Sequence, residues 1–156
     1  MDPSQETLST LFEGAPRFAR RLTAKRAAST DELLDRAERI ALEMPEDEQI
    51  ELLNAHPRIG ANPASVSAMS FREQGYDRDP VTAALQERLD RLNDEYEARF
   101  GFRFVVFVNG RSREAIAVVM KRHLSADREQ EKERGLRDVV AIARSRLART
   151  MEEQPV

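Results

Sequence analysis

Two dipeptides carry most of the chemistry this chain can offer: His56-Pro57 and Glu73-Gln74, both inside the stretch AHPRIGANPASVSAMSFREQG. Only two histidines are present, His56 and His123, so few groups can move protons near neutral pH. His56 is placed by the sequence at a helix C-terminus, where the macrodipole favours the protonated ring, and Pro57 stiffens the backbone that carries it. A ring with an ordinary pKa of about 6.5 in that place suits general acid or base work, and it equally suits a plain capping or packing histidine. Glu73 and Gln74 set a carboxylate beside a carboxamide, the acceptors and donors that would grip a urea or imide group. Ser70 adds a hydroxyl, and the amides of a helix starting there would add donors for an anion. Ser70 and Glu73 also have capping-box spacing, so Glu73 could simply close a helix start.

Other chemistries fail on composition. The absence of cysteine excludes disulfides, thiolate metal sites and a thiol nucleophile, and it fits a reducing compartment. Two histidines without a carboxylate cluster make no metal centre, and HPRIG lacks zinc-ligand spacing. There is no glycine-rich phosphate loop, and no Ser-His-Asp set stands out. His123, in MKRHLSAD, reads as a surface or capping residue, and DREQEKER as a solvated helix face. The 25 basic and 28 acidic residues are interspersed and leave a net charge of −3, which argues against nucleic acid as a partner. The longest apolar run, FVVFV, is far too short to cross a bilayer, so no membrane partner is expected. MDPSQETLST has no signal-peptide pattern and EEQPV no sorting signal, which makes the cytoplasm the expected setting.

Helices must position these groups, because apolar residues recur at helical spacing along most of the 156 residues. SQETLSTLFEG reads as a short helix closed by Gly14, and Pro16 opens a second with Phe18 and Leu22 one turn apart. Ser29 to Glu32 has capping-box spacing ahead of Leu33, Leu34, Ala37, Ile40 and Ala41. Pro45 followed by Glu46, Asp47 and Glu48 marks the next start, and that helix should stop near Ala55 because Pro57 disfavours α geometry at His56. The clearest helix covers 79–100, with Val81, Leu85, Leu89, Leu92, Tyr96 and Phe100 as its stripe and Gly101 as its C-cap. FRFVVFVNG is the one extended segment, near 103–108, with a turn at Asn109-Gly110. A lone strand makes no sheet, so this segment is read as running extended through a helical fold. Two further helices, near 113–124 and 126–151, complete an all-α, single-domain bundle of seven or eight helices, with Leu136, Val140, Ala143 and Leu147 facing inward.

On these residues the chain resembles the 2-oxo-4-hydroxy-4-carboxy-5-ureidoimidazoline (OHCU) decarboxylase family of urate degradation. The resemblance covers LFEGAPRFARRL, LLNAHPRIGA, SAMSFREQG, RLNDEYEARFGFRFVVFVNGRS and LRDVVAIARSRL. His-Pro, then Ser-x-x-Glu-Gln, then FGFxFVV is a specific order, where each motif alone is weak. The resemblance implies an all-α homodimer that turns OHCU, a small ureido-imidazoline carboxylate, into (S)-allantoin with no metal and no cofactor. It makes His56 the catalytic acid/base beside the scissile carboxylate. Glu73, also catalytic, and Gln74 would hold the ureido and ring N–H and C=O groups, with Ser70 adding its hydroxyl. Pro57 would shape the wall beside the histidine, and Phe71 and Arg72 would join the substrate-binding set. Phe104, Val105, Val106, Phe107 and Val108 would present main-chain N–H and C=O groups, and Arg146 would reach toward the substrate. The chain departs from the family pattern at Arg17, where many members carry Trp, and in a shorter 57–69 loop.

Two other readings stand beside this one. The chain could be a related helical enzyme acting on another ureido or hydantoin-like acid, or a non-catalytic helical interaction module. Either enzyme requires His56, Glu73 and Arg146 to converge; the module leaves His56 and Glu73 as caps.

Overall fold

Prolines, capping hydroxyls and a 3.6-residue apolar repeat leave the chain little choice but helix, and helix is what forms. The computed structural model describes residues 12, 14–60 and 83–153, with side chains through 149. Six helices lie among the described residues: α1 (Pro16–Leu22), α2 (Thr30–Glu43), α3 (Glu46–Asn54), α4 (Ala83–Phe100), α5 (Arg113–His123) and α6 (Arg128–Glu153). No strand occurs among them, in keeping with the all-α class. The count is six where seven or eight were expected, and the first of those, in SQETLSTLFEG, falls outside the described residues except for Phe12 and Gly14. None of these helices is long and apolar enough to cross a membrane.

The chain divides into two compact units, Met1–His56 with Glu133–Val156, and Pro57–Lys132. In the first unit α1 packs on α2 and α3. Pro16 occupies the first turn of α1, where its missing N–H costs nothing, and Phe18 and Leu22 are buried one turn apart. The Phe12 ring meets Phe18 edge-on at 4.9 Å. The box expected at the start of α2 is present, with Ser29 Oγ accepting from the Glu32 amide at 3.1 Å. The Glu32 carboxylate reaches back to the Ala28 amide at 2.8 Å, one residue beyond the usual partner. Leu33, Leu34, Ala37 and Ala41 are buried, while Ile40 stays half-exposed.

Pro45 caps α3, and Gln49 Nε2 donates to the Ala41 carbonyl at 2.9 Å, satisfying a group that the end of α2 would otherwise orphan. Arg17 Nε donates to Glu51 at 2.7 Å and its NH1 to Asp47 at 2.9 Å, while Arg21 binds Glu48 through two nitrogens at 2.7 and 2.8 Å. The departure at Arg17 thus tethers α1 to α3, the helix that His56 follows. A Cβ at Gly135 of α6 would stand 3.1 Å from Leu53 Cδ2, so the missing side chain permits close packing on α3.

In the second unit α4 packs on α5. Of the predicted stripe Leu89, Leu92, Tyr96 and Phe100 are buried, Leu85 is half-buried and Val81 lies outside the described residues; Gly101 (φ 82°) closes the helix with its N–H on the Glu97 carbonyl at 2.9 Å. Residues 57–60 are fixed on α4 by Gln86 Nε2 to the Gly60 carbonyl at 2.9 Å and Asn93 Nδ2 to the Ile59 carbonyl at 3.0 Å. Residues 103–108 form neither helix nor bridge, and the turn after them holds Asn109 (φ 49°) and Gly110 (φ 79°) in the left-handed region. Ser112 caps α5 through the Ala115 amide at 3.1 Å, and Asp127 caps α6 through the Gln130 amide at 3.1 Å.

Candidate active site

Helix α3 stops where Pro57 demands it, leaving Ala55 as the C-cap and His56 next in line. The His56 ring is only 7% exposed, and its Nδ1 lies 3.1 Å from the Leu52 carbonyl one turn back. A carbonyl can only accept, so Nδ1 carries the hydrogen and Nε2 keeps a lone pair whenever the ring is neutral. The ring is neutral: its pKa falls from 6.5 to about 4, chiefly through burial and secondarily through the positive charge of Arg146, against a smaller opposing pull from Leu52. This corrects the expectation that the helix dipole would favour the protonated form. A surface helix end stabilises an imidazolium; a buried one must first strip it of water, and desolvation wins.

Arg146 is itself 2% exposed, on the face of α6 that buries Val139, Ile142 and Ala143. The positive charge of Arg146 therefore acts on a neutral imidazole base within the first unit. That pair can attract an anion and accept a proton from it. Of the three residues whose convergence separates an enzyme from a mere helical module, His56 and Arg146 interact. Glu73 lies outside the described residues, as do Ser70, Phe71, Arg72 and Gln74.

In the second unit Pro57 is half-buried, and Phe104, Val105, Val106 and Val108 are buried with Phe107 half-exposed. Arg111 donates from NH2 to the Phe107 carbonyl at 2.6 Å and from Nε to the Val108 carbonyl at 3.0 Å, so acceptor capacity at these two groups is already partly used.

A polar cluster also appears that the spacing did not reveal. Tyr96 Oη donates to Glu131 at 2.7 Å, and His123 Nδ1 lies 2.8 Å from the other oxygen of the same carboxylate. Glu131 and Lys132 are buried, so the helix face read as solvated in DREQEKER turns inward at these two positions, and His123 is more than a surface residue. One signal was available: Tyr96 falls in the apolar stripe of α4, and a buried tyrosine hydroxyl requires a partner. Among the described residues no group of three or more metal-ligating side chains occurs. A surface cleft lined by Arg17, Arg20, Arg21 and Glu48 contains none of the expected site residues.

Comparison with known proteins bears on this geometry. The family model described as OHCU decarboxylase matches residues 2–148. The 2-oxo-4-hydroxy-4-carboxy-5-ureidoimidazoline decarboxylase of Haloferax volcanii is 30% identical over 148 residues, covering 94% of this chain and 88% of that protein. The uric acid degradation bifunctional protein PucL of Bacillus subtilis is 30% identical over 151 residues, 96% of this chain but only 30% of that longer protein. A crystal structure of OHCU decarboxylase in the presence of (S)-allantoin shares the fold, with a TM-score of 0.76 at 21% identity over 97% of this chain and all of that one.

Proposed function

The chain belongs to the OHCU decarboxylase family, and from that premise we propose how it works as a carboxy-lyase. It removes CO2 from OHCU to leave allantoin, a step in urate degradation. The bond between ring carbon and carboxylate breaks, and its electron pair becomes a ring C=C bond as the neighbouring C=N pair moves onto nitrogen. The ring nitrogen takes a proton from water and the ring carbon bearing the ureido group takes another, while the adjacent hydroxyl gives one up and becomes a carbonyl, so one proton is consumed overall. The substrate is its own electron sink, so the protein has to orient it, exclude water and manage protons.

His56 is the observation that carries this reading: a buried neutral ring whose Nδ1 is committed to Leu52, with Arg146 beside it in charge terms. In the proposed sequence Nε2 accepts the hydroxyl proton, and the imidazolium returns a proton to one ring face to give (S)-allantoin. Arg146 attracts the anionic substrate. Glu73, Gln74 and Ser70 are assigned the ureido and ring amide groups, and Pro57, Phe71 and Arg72 the surrounding wall. The main chain of Phe104–Val108 is assigned further contacts through its N–H and C=O groups. A homodimer, a cytoplasmic setting, one functional domain over residues 1–156 and a bundle of seven or eight helices belong to the same proposal.

The test is to generate OHCU freshly with the enzymes that precede it and follow the optical activity of the allantoin formed. The protein should accelerate the reaction and give the S product, and His56→Ala should abolish both while leaving far-UV circular dichroism unchanged. Racemic allantoin at the uncatalysed rate overturns the reading. Near-normal turnover by His56→Ala overturns the role of the histidine alone.

A further inference from the structure

The geometry points to Glu131 as a positioning residue for the Phe104–Val108 segment, acting through Tyr96 and His123; this rests on the substrate-contacting role proposed for that segment. Residues 103–108 belong to neither helix nor strand, and side-chain contacts along the segment help to set their backbone. At the far end Arg111 does so by holding the Phe107 and Val108 carbonyls. At the near end the anchor is the Phe104 ring, buried at 1% exposure. Tyr96 meets that ring edge-on at 5.1 Å, and the His123 ring lies 6.2 Å from it at 52°. One carboxylate fixes both neighbours, because Glu131 accepts from Tyr96 Oη at 2.7 Å on one oxygen and faces His123 Nδ1 at 2.8 Å with the other. All of these residues lie in the unit Pro57–Lys132.

Glu131 is 2% exposed. A buried carboxylate stabilises a fold poorly compared with a well-packed apolar side chain, while it fixes the direction of its partners in a way an apolar group does not. Glu131 therefore acts at a distance from the substrate: it sets where Phe104 sits, and through Phe104 the backbone that follows.

Glu131→Gln in the full chain is the first variant to measure. Glutamine keeps the shape and an acceptor for Tyr96, but turns an N–H toward the His123 donor. The expected result is a KM raised about tenfold, kcat within about threefold of wild type and a loss of S excess in the product, the size expected for a lost charge-assisted hydrogen bond. Amide hydrogen exchange should quicken at 104–108 and stay unchanged in α3 (Glu46–Asn54). His123→Asn, which keeps a donor where Nδ1 stands, should retain a KM near that of wild type.

Unchanged KM and unchanged exchange at 104–108 in Glu131→Gln overturn the proposal. So does faster exchange throughout the chain, α3 included, which would make Glu131 an ordinary structural residue. If Glu131→Gln does not fold, Tyr96→Phe decides, since it removes only the hydroxyl. A raised KM with local exchange supports the proposal, and wild-type values overturn it. Should the wild-type protein fail to turn over OHCU, the function proposed above falls. Exchange then decides for Glu131 alone: quickening confined to 104–108 supports it, and its absence overturns it.

Discussion

A histidine's place in the chain and its protonation state have different physical origins, and His56 separates them. Its place is local: Pro57 ends α3, so the preceding residue must sit at the helix terminus, and that was legible from two adjacent letters. Its state is tertiary, since the burial that chiefly holds its pKa to about 4 is set by packing, and the second cause, the Arg146 charge, comes from 90 positions away in the chain (146 − 56). The consequence is measurable. With His56 as a base that must be neutral, kcat/KM should stay level from pH 8 to pH 5 and fall only as pH approaches 4. Arg146→Met removes the second cause of the depression, so the acid limb should move up toward the ordinary value of about 6.5, alongside a raised KM for the anionic substrate. A profile of Arg146→Met that overlays the wild type would remove Arg146 from the electrostatics of the ring. Tyr96, by contrast, was legible only as a buried residue needing a partner; its carboxylate lies 35 residues on.

At the scale of elements, periodicity and capping chemistry act within a few residues, which is why α1, α2, α3 and α5 begin, and α3, α4 and α5 end, close to where the sequence placed them. The failures occur where an element's solvent face is decided by what packs on it. DREQEKER has no apolar stripe, and Glu131 and Lys132 are nonetheless buried at the start of α6. Gly135 carries the same lesson a turn later. In isolation a glycine inside a helix is a weakness, about 1 kcal/mol worse than alanine. Here Leu53 Cδ2 would stand 3.1 Å from an added Cβ, so the residue keeps α6 close to α3. Gly135→Val should destabilise by about 1–3 kcal/mol in urea unfolding, despite the higher intrinsic helix propensity of valine. A neutral or stabilising effect would mean that the Leu53 side chain swings aside and the close approach is not required.

At the scale of the whole molecule, a helical apolar repeat running through a charged, cysteine-free chain was enough for the all-α class. Composition says nothing of how stability responds to pH, because that depends on which ionisable groups folding removes from water. His56 binds a proton at about pH 6.5 when the chain is unfolded and only at about 4 when it is folded. Between those values the unfolded state holds the extra proton, so stability falls as pH is lowered and levels off below the folded value. The loss across this window should be about 3 kcal/mol. Asp47 and Glu48 act with the same sign in a lower window. The Arg17 and Arg21 guanidinium groups hold their carboxyls below the ordinary range, and the support they give is lost only as pH falls past those depressed values. Urea unfolding from pH 7.5 to pH 3 should therefore show two stages of weakening. His56→Gln should flatten the upper stage and leave the lower one, and salt should weaken the lower stage because its ion pairs are more exposed. If His56→Gln and wild type lose stability in parallel between pH 6.5 and 4, folding does not lower the pKa of the ring, and the level kcat/KM profile expected down to pH 5 falls with it.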